Sequence, residues 1–263
     1  MLRDVWTKTL WDQRRTLIGW AIGFALVSVV YGGFYPFAAT PEYAELIESM
    51  PPGLADAFGW DEISSPHGYL GSTVFGILGP VLAIVMAIGL GARAIAGSEE
   101  DGSLELLIAQ PVSRLRVVLQ KTAALALVAL GAGAVVLVAI LAIKGPIDLD
   151  IPNSHLAAAS FNLALFGLFF GAVAILLGAI TGRKAVAVGG TAGLAVAAFL
   201  ANGLAPQVDA LAWMQNISPF YWANGTSVLR DGLDPVLTLV LAGASVVAIA
   251  AAAVAFDRRD VGV

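Results

Sequence analysis

Six apolar stretches, each about 20 residues long, constrain the fold of this chain more than anything else in its sequence. They fall at residues 16–35, 69–95, 117–143, 156–181, 185–205 and 235–256. At a rise of about 1.5 Å per residue, a helix of that length crosses the ~30 Å hydrocarbon layer of a bilayer. Composition agrees. Of the 263 residues, 59% are apolar and 13% charged, against about 45–50% and roughly 25% in a soluble domain. The chain therefore reads as an all-α polytopic membrane protein with six transmembrane helices in a single domain spanning 1–263. Pro80 falls inside the second stretch, where lipid-embedded helices tolerate proline, and predicts a kink there.

The basic residues orient these helices. With both termini in the cytoplasm, the inner side holds Arg3, Lys8, Arg14, Arg15, Arg93, Arg114, Arg116, Lys121, Arg183, Lys184, Arg258 and Arg259. Only Lys144 and Arg230 remain outside, which is the positive-inside asymmetry. Eleven of the 19 acidic residues fall on the outer side and leave it negative. The expected location is the plasma (inner) membrane of a prokaryote, with several passes. No cleavable signal peptide is expected. Instead Leu2, Trp6 and Leu10 recur every four residues opposite Arg3, Asp4, Thr7 and Lys8, so 1–15 reads as an amphipathic helix lying in the inner headgroup layer.

Several chemistries are excluded. Cysteine is absent, which removes disulfides, iron–sulfur clusters and thiolate metal sites. His67 and His155, the only histidines, each stand near an outer span end without an HExxH motif, so no metal site is expected. No basic patch suited to nucleic acid is present. The span interiors are almost free of charge, whereas a proton- or sodium-coupled carrier needs intramembrane acids or bases. Their polar residues are Ser28, Thr73, Ser160, Asn162, Thr191, Asn202, Thr238 and Ser245, which suit interhelical hydrogen bonds. Glycines recur at close-packing intervals: Gly167, Gly171, Gly178 and Gly182 make a groove along span four, and Gly189 and Gly193 do the same on span five.

On the outer side, Pro41–Met50 predicts a short amphipathic helix with Leu46, Ile47 and Met50 on one face, followed by a second apolar set of Leu54, Phe58 and Trp60. Between spans five and six, Trp213, Ile217, Phe220, Tyr221 and Trp222 cluster around Pro206 and Pro219. An interfacial aromatic belt and a cap over the helices both fit this composition.

The most informative stretch joins spans two and three: AIAGSEEDGSLELLIAQPVSRLRVVLQK, from Ala94 to Lys121. Ser98 followed by Glu99, Glu100 and Asp101 reads as a helix start, which Gly102 and Ser103 can reset. Leu104, Leu107 and Ile108 then share a face beside Glu105. Pro111 stops that helix, and Ser113 can cap span three. So short a helix is not stable alone and needs a groove to dock in.

The run Glu99–Glu100–Asp101–Gly102–Ser103–Leu104–Glu105–Leu106–Leu107, followed by Pro111–Val112–Ser113–Arg114, closely resembles the loop of exporter-type permeases of ATP-binding cassette (ABC) transporters. That family reads acid–acid–x–Gly–Thr/Ser–Leu–Glu–Leu–Leu, then Pro–Val–Ser–Arg. The resemblance takes in the N-terminal helix, the six spans, the long first outer segment and the final Phe256–Asp257–Arg258–Arg259–Asp260. It implies a permease working as a dimer, with a second copy or a paralogue, and coupled to two copies of a separate ATPase subunit. The coupling residues it implies are Glu99, Glu100, Gly102, Ser103, Leu104, Glu105, Leu107, Ile108, Pro111 and Arg114. By the same analogy spans two and five line the passage, which makes Phe75, Met86, Phe199 and Asn202 candidates for the substrate pathway. The chain has no G-x-x-x-x-G-K-[S/T] phosphate loop, Gly182–Arg183–Lys184 failing the spacing. It is therefore not expected to be an enzyme, nor to hold a cofactor; ATP and Mg would bind the partner. An ion-coupled secondary transporter and a non-transporting membrane assembly factor are the alternative readings.

Overall fold

A computed structural model describes residues 14–50, 60, 62–102, 113–223 and 225–259. Among these, six helices are long and apolar enough to cross a membrane. Span one is the helix Arg14–Gly33, prolonged by a turn at Tyr35–Ala38. Span two runs from Pro66 to Glu100, span three from Arg114 to Lys144 and span four from Asn153 to Thr181. Span five covers Lys184–Gly203 and span six Pro235–Arg258. Span three begins at Arg114, ahead of its apolar stretch, where Ser113 caps it by accepting the Arg116 amide proton. Span six begins at Pro235 as expected, capped by Asp234, which accepts the amide protons of Val236 and Leu237.

Span four is the axis of the bundle. Of its most apolar window, 72% is buried, against 17% for span one and 22% for span five. Spans two, three, five and six all pack on it. Small residues permit this. A Cβ at Gly91 of span two would stand 2.5 Å from the Gly171 carbonyl oxygen, and one at Gly133 of span three 2.5 Å from that of Ser160. Gly171 in turn receives the Leu125 side chain. Gly167, Gly171 and Gly178 thus act as the predicted groove. Gly182 does not belong to it. It adopts φ +64° and ends the helix, its amide donating to the Gly178 carbonyl over 2.8 Å.

Span two differs from the expected simple kink. Residues Val74–Leu78 form a π-helical turn immediately before Pro80, and Arg93–Gly97 form another near the far end. Pro80 has no amide proton for the carbonyl one turn back, and the widened turn absorbs that missing bond within a continuous helix.

Only some of the polar span residues hydrogen-bond within their own helices; the hydroxyls of Ser28, Ser160 and Thr191 are buried without a hydrogen-bond partner among the described residues. Thr73 and Ser245 donate to the carbonyls of Tyr69 and Leu241. The interhelical bond expected of this set is made by Thr238 of span six, which donates to Asn162 Oδ1 of span four over 3.1 Å in the buried interior.

At one end of the bundle the connections build a small cap. In the helix Pro41–Glu48, Ile47 is buried while Leu46 is 54% exposed, so the inward face carries Tyr43, Ile47 and Met50, without Leu46. Leu54 and Phe58 lie outside the described residues. The helix Gly225–Asp231 packs on span four and on the start of span two. His155 Nδ1 donates to the Leu229 carbonyl over 3.0 Å, and Arg230 reaches Glu62, which also pairs with His67.

Close approach makes Gly133 intolerant of a methyl group, whereas Gly131, two residues away, faces open space. Gly133→Ala is expected to destabilise the protein by about 1–3 kcal/mol through overpacking. Gly131→Ala should be neutral or stabilising by up to about 1 kcal/mol through helix propensity. Thermal unfolding in detergent checks the contrast; equal melting temperatures would contradict the packing described.

Candidate functional site

The segment singled out by its sequence begins where span two ends. Ser98 does not start a helix there. Its hydroxyl bonds back to the Arg93 and Ala94 carbonyls, and the helix continues through Glu100. Gly102, at φ +72°, terminates it. Glu99 and Glu100 therefore sit at the negative end of a helix dipole rather than at the positive end assumed from the sequence. Carboxylates are unfavourable at such a terminus unless other groups neutralise them.

Two partners do so. Glu99 pairs with Arg259, just beyond the end of span six. Glu100 Oε1 accepts the backbone amide of Lys184 over 2.8 Å, so it occupies the N-terminus of span five, where a carboxylate is favoured. Arg259 does more than pair with Glu99. Its Nη1 donates to the Gly178 and Ala179 carbonyls, over 3.3 and 3.1 Å, at the C-terminus of span four. Gly182 lies against the same guanidinium, leaving no room for a Cβ.

The other end of the segment is tied equally firmly. Ser113 caps span three, and Arg114 Nη1 donates to the carbonyls of Phe256, Asp257 and Arg259 over 3.2, 3.3 and 2.5 Å. Its guanidinium carbon stands 5.8 Å from the centre of the Phe256 ring. A cation here neutralises the last carbonyls of span six. Glu99, Glu100 and Arg114, three of the predicted coupling residues, thus converge on one cluster. Gly102 sits at its edge. Ser103, Leu104, Glu105, Leu107, Ile108 and Pro111 lie outside the described residues, as does the amphipathic segment at the N-terminus.

In the sequence Arg259 figures only as an inner-side base and a member of the final Phe256–Asp260 run, and its meeting with Glu99 is not anticipated. The signal that could have found it is the pair of acids directly following a long apolar run, since a helix C-terminus requires cations to meet them.

The predicted pathway residues are scattered. Phe75 and Met86 are buried inside the chain, 5% and 1% exposed, and in this conformation neither reaches a surface. Phe199 meets Phe220 edge-on at 5.5 Å between ring centres. Asn202 is half-buried, and its backbone carbonyl accepts from Gln215 at 3.5 Å. These contacts belong to a re-entrant connection. After span five the chain forms 3-10 turns at Ala205–Gln207 and Asp209–Ile217, then doubles back, and Ser218 donates to the Ala198 carbonyl over 2.8 Å. Ala198 lies more than one turn inside span five. Phe220 enters the aromatic core, 4.8 Å from Phe166 and 6.4 Å from Phe170. Trp213 and Ile217 stay exposed, 60% and 58%. The aromatic cluster is therefore both cap and rim.

Six apolar helices, an end cluster of one ion pair and several helix caps, and a connection that doubles back before the last helix define an all-α polytopic membrane protein. Residues 4–261 match the family model described as ABC-2 family transporter protein, and the chain belongs to that family. It is a membrane permease component of an ABC transporter. No curated protein matches the chain.

Gly182 combines a left-handed backbone with contact to Arg259. Gly182→Ala is expected to cost about 1–2 kcal/mol from the backbone conformation alone and to displace Arg259. Its melting temperature in detergent should fall, while Gly189→Ala, a substitution into open space within a helix, should leave it unchanged or raise it.

Proposed function

We propose that this chain is the permease of an ATP-driven exporter, working as a dimer with two copies of a separate ATPase subunit that bind ATP and Mg. It would lie in a prokaryotic plasma membrane with both termini cytoplasmic, which puts the Glu99–Arg259 cluster on the cytoplasmic side. One observation carries the coupling: span two runs unbroken to Glu100, and Arg114 opens span three on the same cluster. The sequence between them, Ser103 to Val112, presents Leu104, Glu105, Leu107 and Ile108 to the ATPase, with Pro111 closing the segment. Because both flanks are anchored to helix ends, displacement of this segment moves spans rather than slack loop.

Span five supports the second copy. Only one of its faces, Ala187, Thr191, Ala195 and Ala198, is buried within the chain. Gly189 and Gly193 face open space, and Val186 and Val196 are exposed. A two-fold contact along that face would bring spans two and five of both copies around a passage. Phe199 and Asn202 would stand near its outer mouth, and Phe75 and Met86 would reach it only if span two rotates. ATP binding that draws the ATPases together would shift the pair between inward- and outward-open forms, provided that nucleotide binds one form better than the other.

Glu105→Arg, or Leu104→Asp combined with Leu107→Asp, is expected to abolish co-purification of the ATPase while the chain still inserts and elutes as a folded species. ATPase recruitment at the wild-type level in both variants would overturn the coupling assignment.

A further inference from the structure

We propose that Arg259 is the positioning residue that couples the cytoplasmic segment to the helix bundle, acting with Arg114 to fasten both flanks of that segment onto the end of span six. The inference rests on the coupling role proposed above and assigns the residue that transmits it.

The geometry carries the idea. Glu99 precedes the segment and pairs with the Arg259 side chain. Arg114 follows it and donates to the backbone carbonyl of the same Arg259, as well as to those of Phe256 and Asp257. Arg259 therefore receives both flanks, one on its guanidinium and one on its carbonyl. From there the guanidinium passes to Gly178 and Ala179 at the end of span four, the axis of the bundle. Glu100, next to Glu99, holds the first amide of span five. A push on the segment is delivered at a single residue to spans four and six, and through Glu100 to span five. Arg259 is 20% exposed and Glu99 25%, so water screens the pair only partly. The chemistry calls for arginine. A planar fork serves a carboxylate and two carbonyls at once, whereas an ammonium is a point charge with no such shape.

A merely structural cap would also stabilise these helix ends, so the test must read coupling. The chain has no cysteine, and Val196→Cys on the exposed face of span five gives a single reporter thiol. The full chain is purified together with its ATPase subunit, and the rate of maleimide labelling is compared without nucleotide and with Mg·ATP plus orthovanadate. In the wild-type background the nucleotide is expected to change the rate. In Arg259→Gln, ATPase recruitment should stay within about twofold of wild type, while the nucleotide-dependent change falls by at least about fivefold, the lower end of ordinary site-to-site coupling. Arg259→Lys, which keeps the charge without the fork, should recover only part of the response. Glu99→Gln should reproduce the loss and serves if Arg259→Gln fails to accumulate. A full labelling response in Arg259→Gln or Glu99→Gln overturns the inference, and so does failure of both to fold. Absence of any ATPase with the wild-type chain instead overturns the coupling reading, and this inference with it.

Discussion

Apolar attraction cannot hold helices together inside a bilayer, because lipid tails are as apolar as the side chains they touch. What remains is close contact, and span four is built to provide it. Glycines on span four and on its neighbours let backbones approach to where a methyl group would collide with a carbonyl oxygen at Gly91 and Gly133. The buried Thr238–Asn162 hydrogen bond adds a directional link to span six. With span four enclosed, spans one and five keep most of their surface for lipid or for another chain.

The basic end follows a second rule. Each helix terminus there leaves unpaired amides or carbonyls with partial charge. The bundle answers them with side chains from neighbouring helices: Glu100 on the start of span five, Arg259 on the end of span four and Arg114 on the end of span six. The residues that join helix ends also flank the segment proposed to meet the ATPase. On that proposal, stability and coupling share the same contacts.

Much of this was legible in the residues. The six spans followed from run length, the span-four groove from glycine spacing, and the Ser113 cap from its place after Pro111. Other readings failed for reasons of context. Ser98 and the following acids match a helix start, but Ser98 bonds backward, Glu99 meets the Arg259 guanidinium and Glu100 accepts the backbone amide of Lys184. Gly182 keeps the spacing of a packing glycine, yet its φ makes it a stop. Pro80 announced a local distortion, while the π turn that accommodates it depends on how span two lies against span four. Leu46 and Ile47 are adjacent, similarly apolar residues, and only the surface beneath their helix decides which is buried. Phe75 and Met86, candidates by analogy with the family alone, are buried within this chain.

The sequence by itself determined that the chain crosses a membrane six times, which way the charges bias it, and that a leucine-and-acid segment of family character joins spans two and three. Run length, charge count and a contiguous motif are local quantities, so one chain suffices to read them. Only the tertiary structure decided that Glu99, Arg114 and Arg259 meet, and that Phe220 turns inward while Trp213 stays outside. Those outcomes depend on which helix ends lie side by side, and residues 99 and 259 become neighbours only after spans two, four and six have packed.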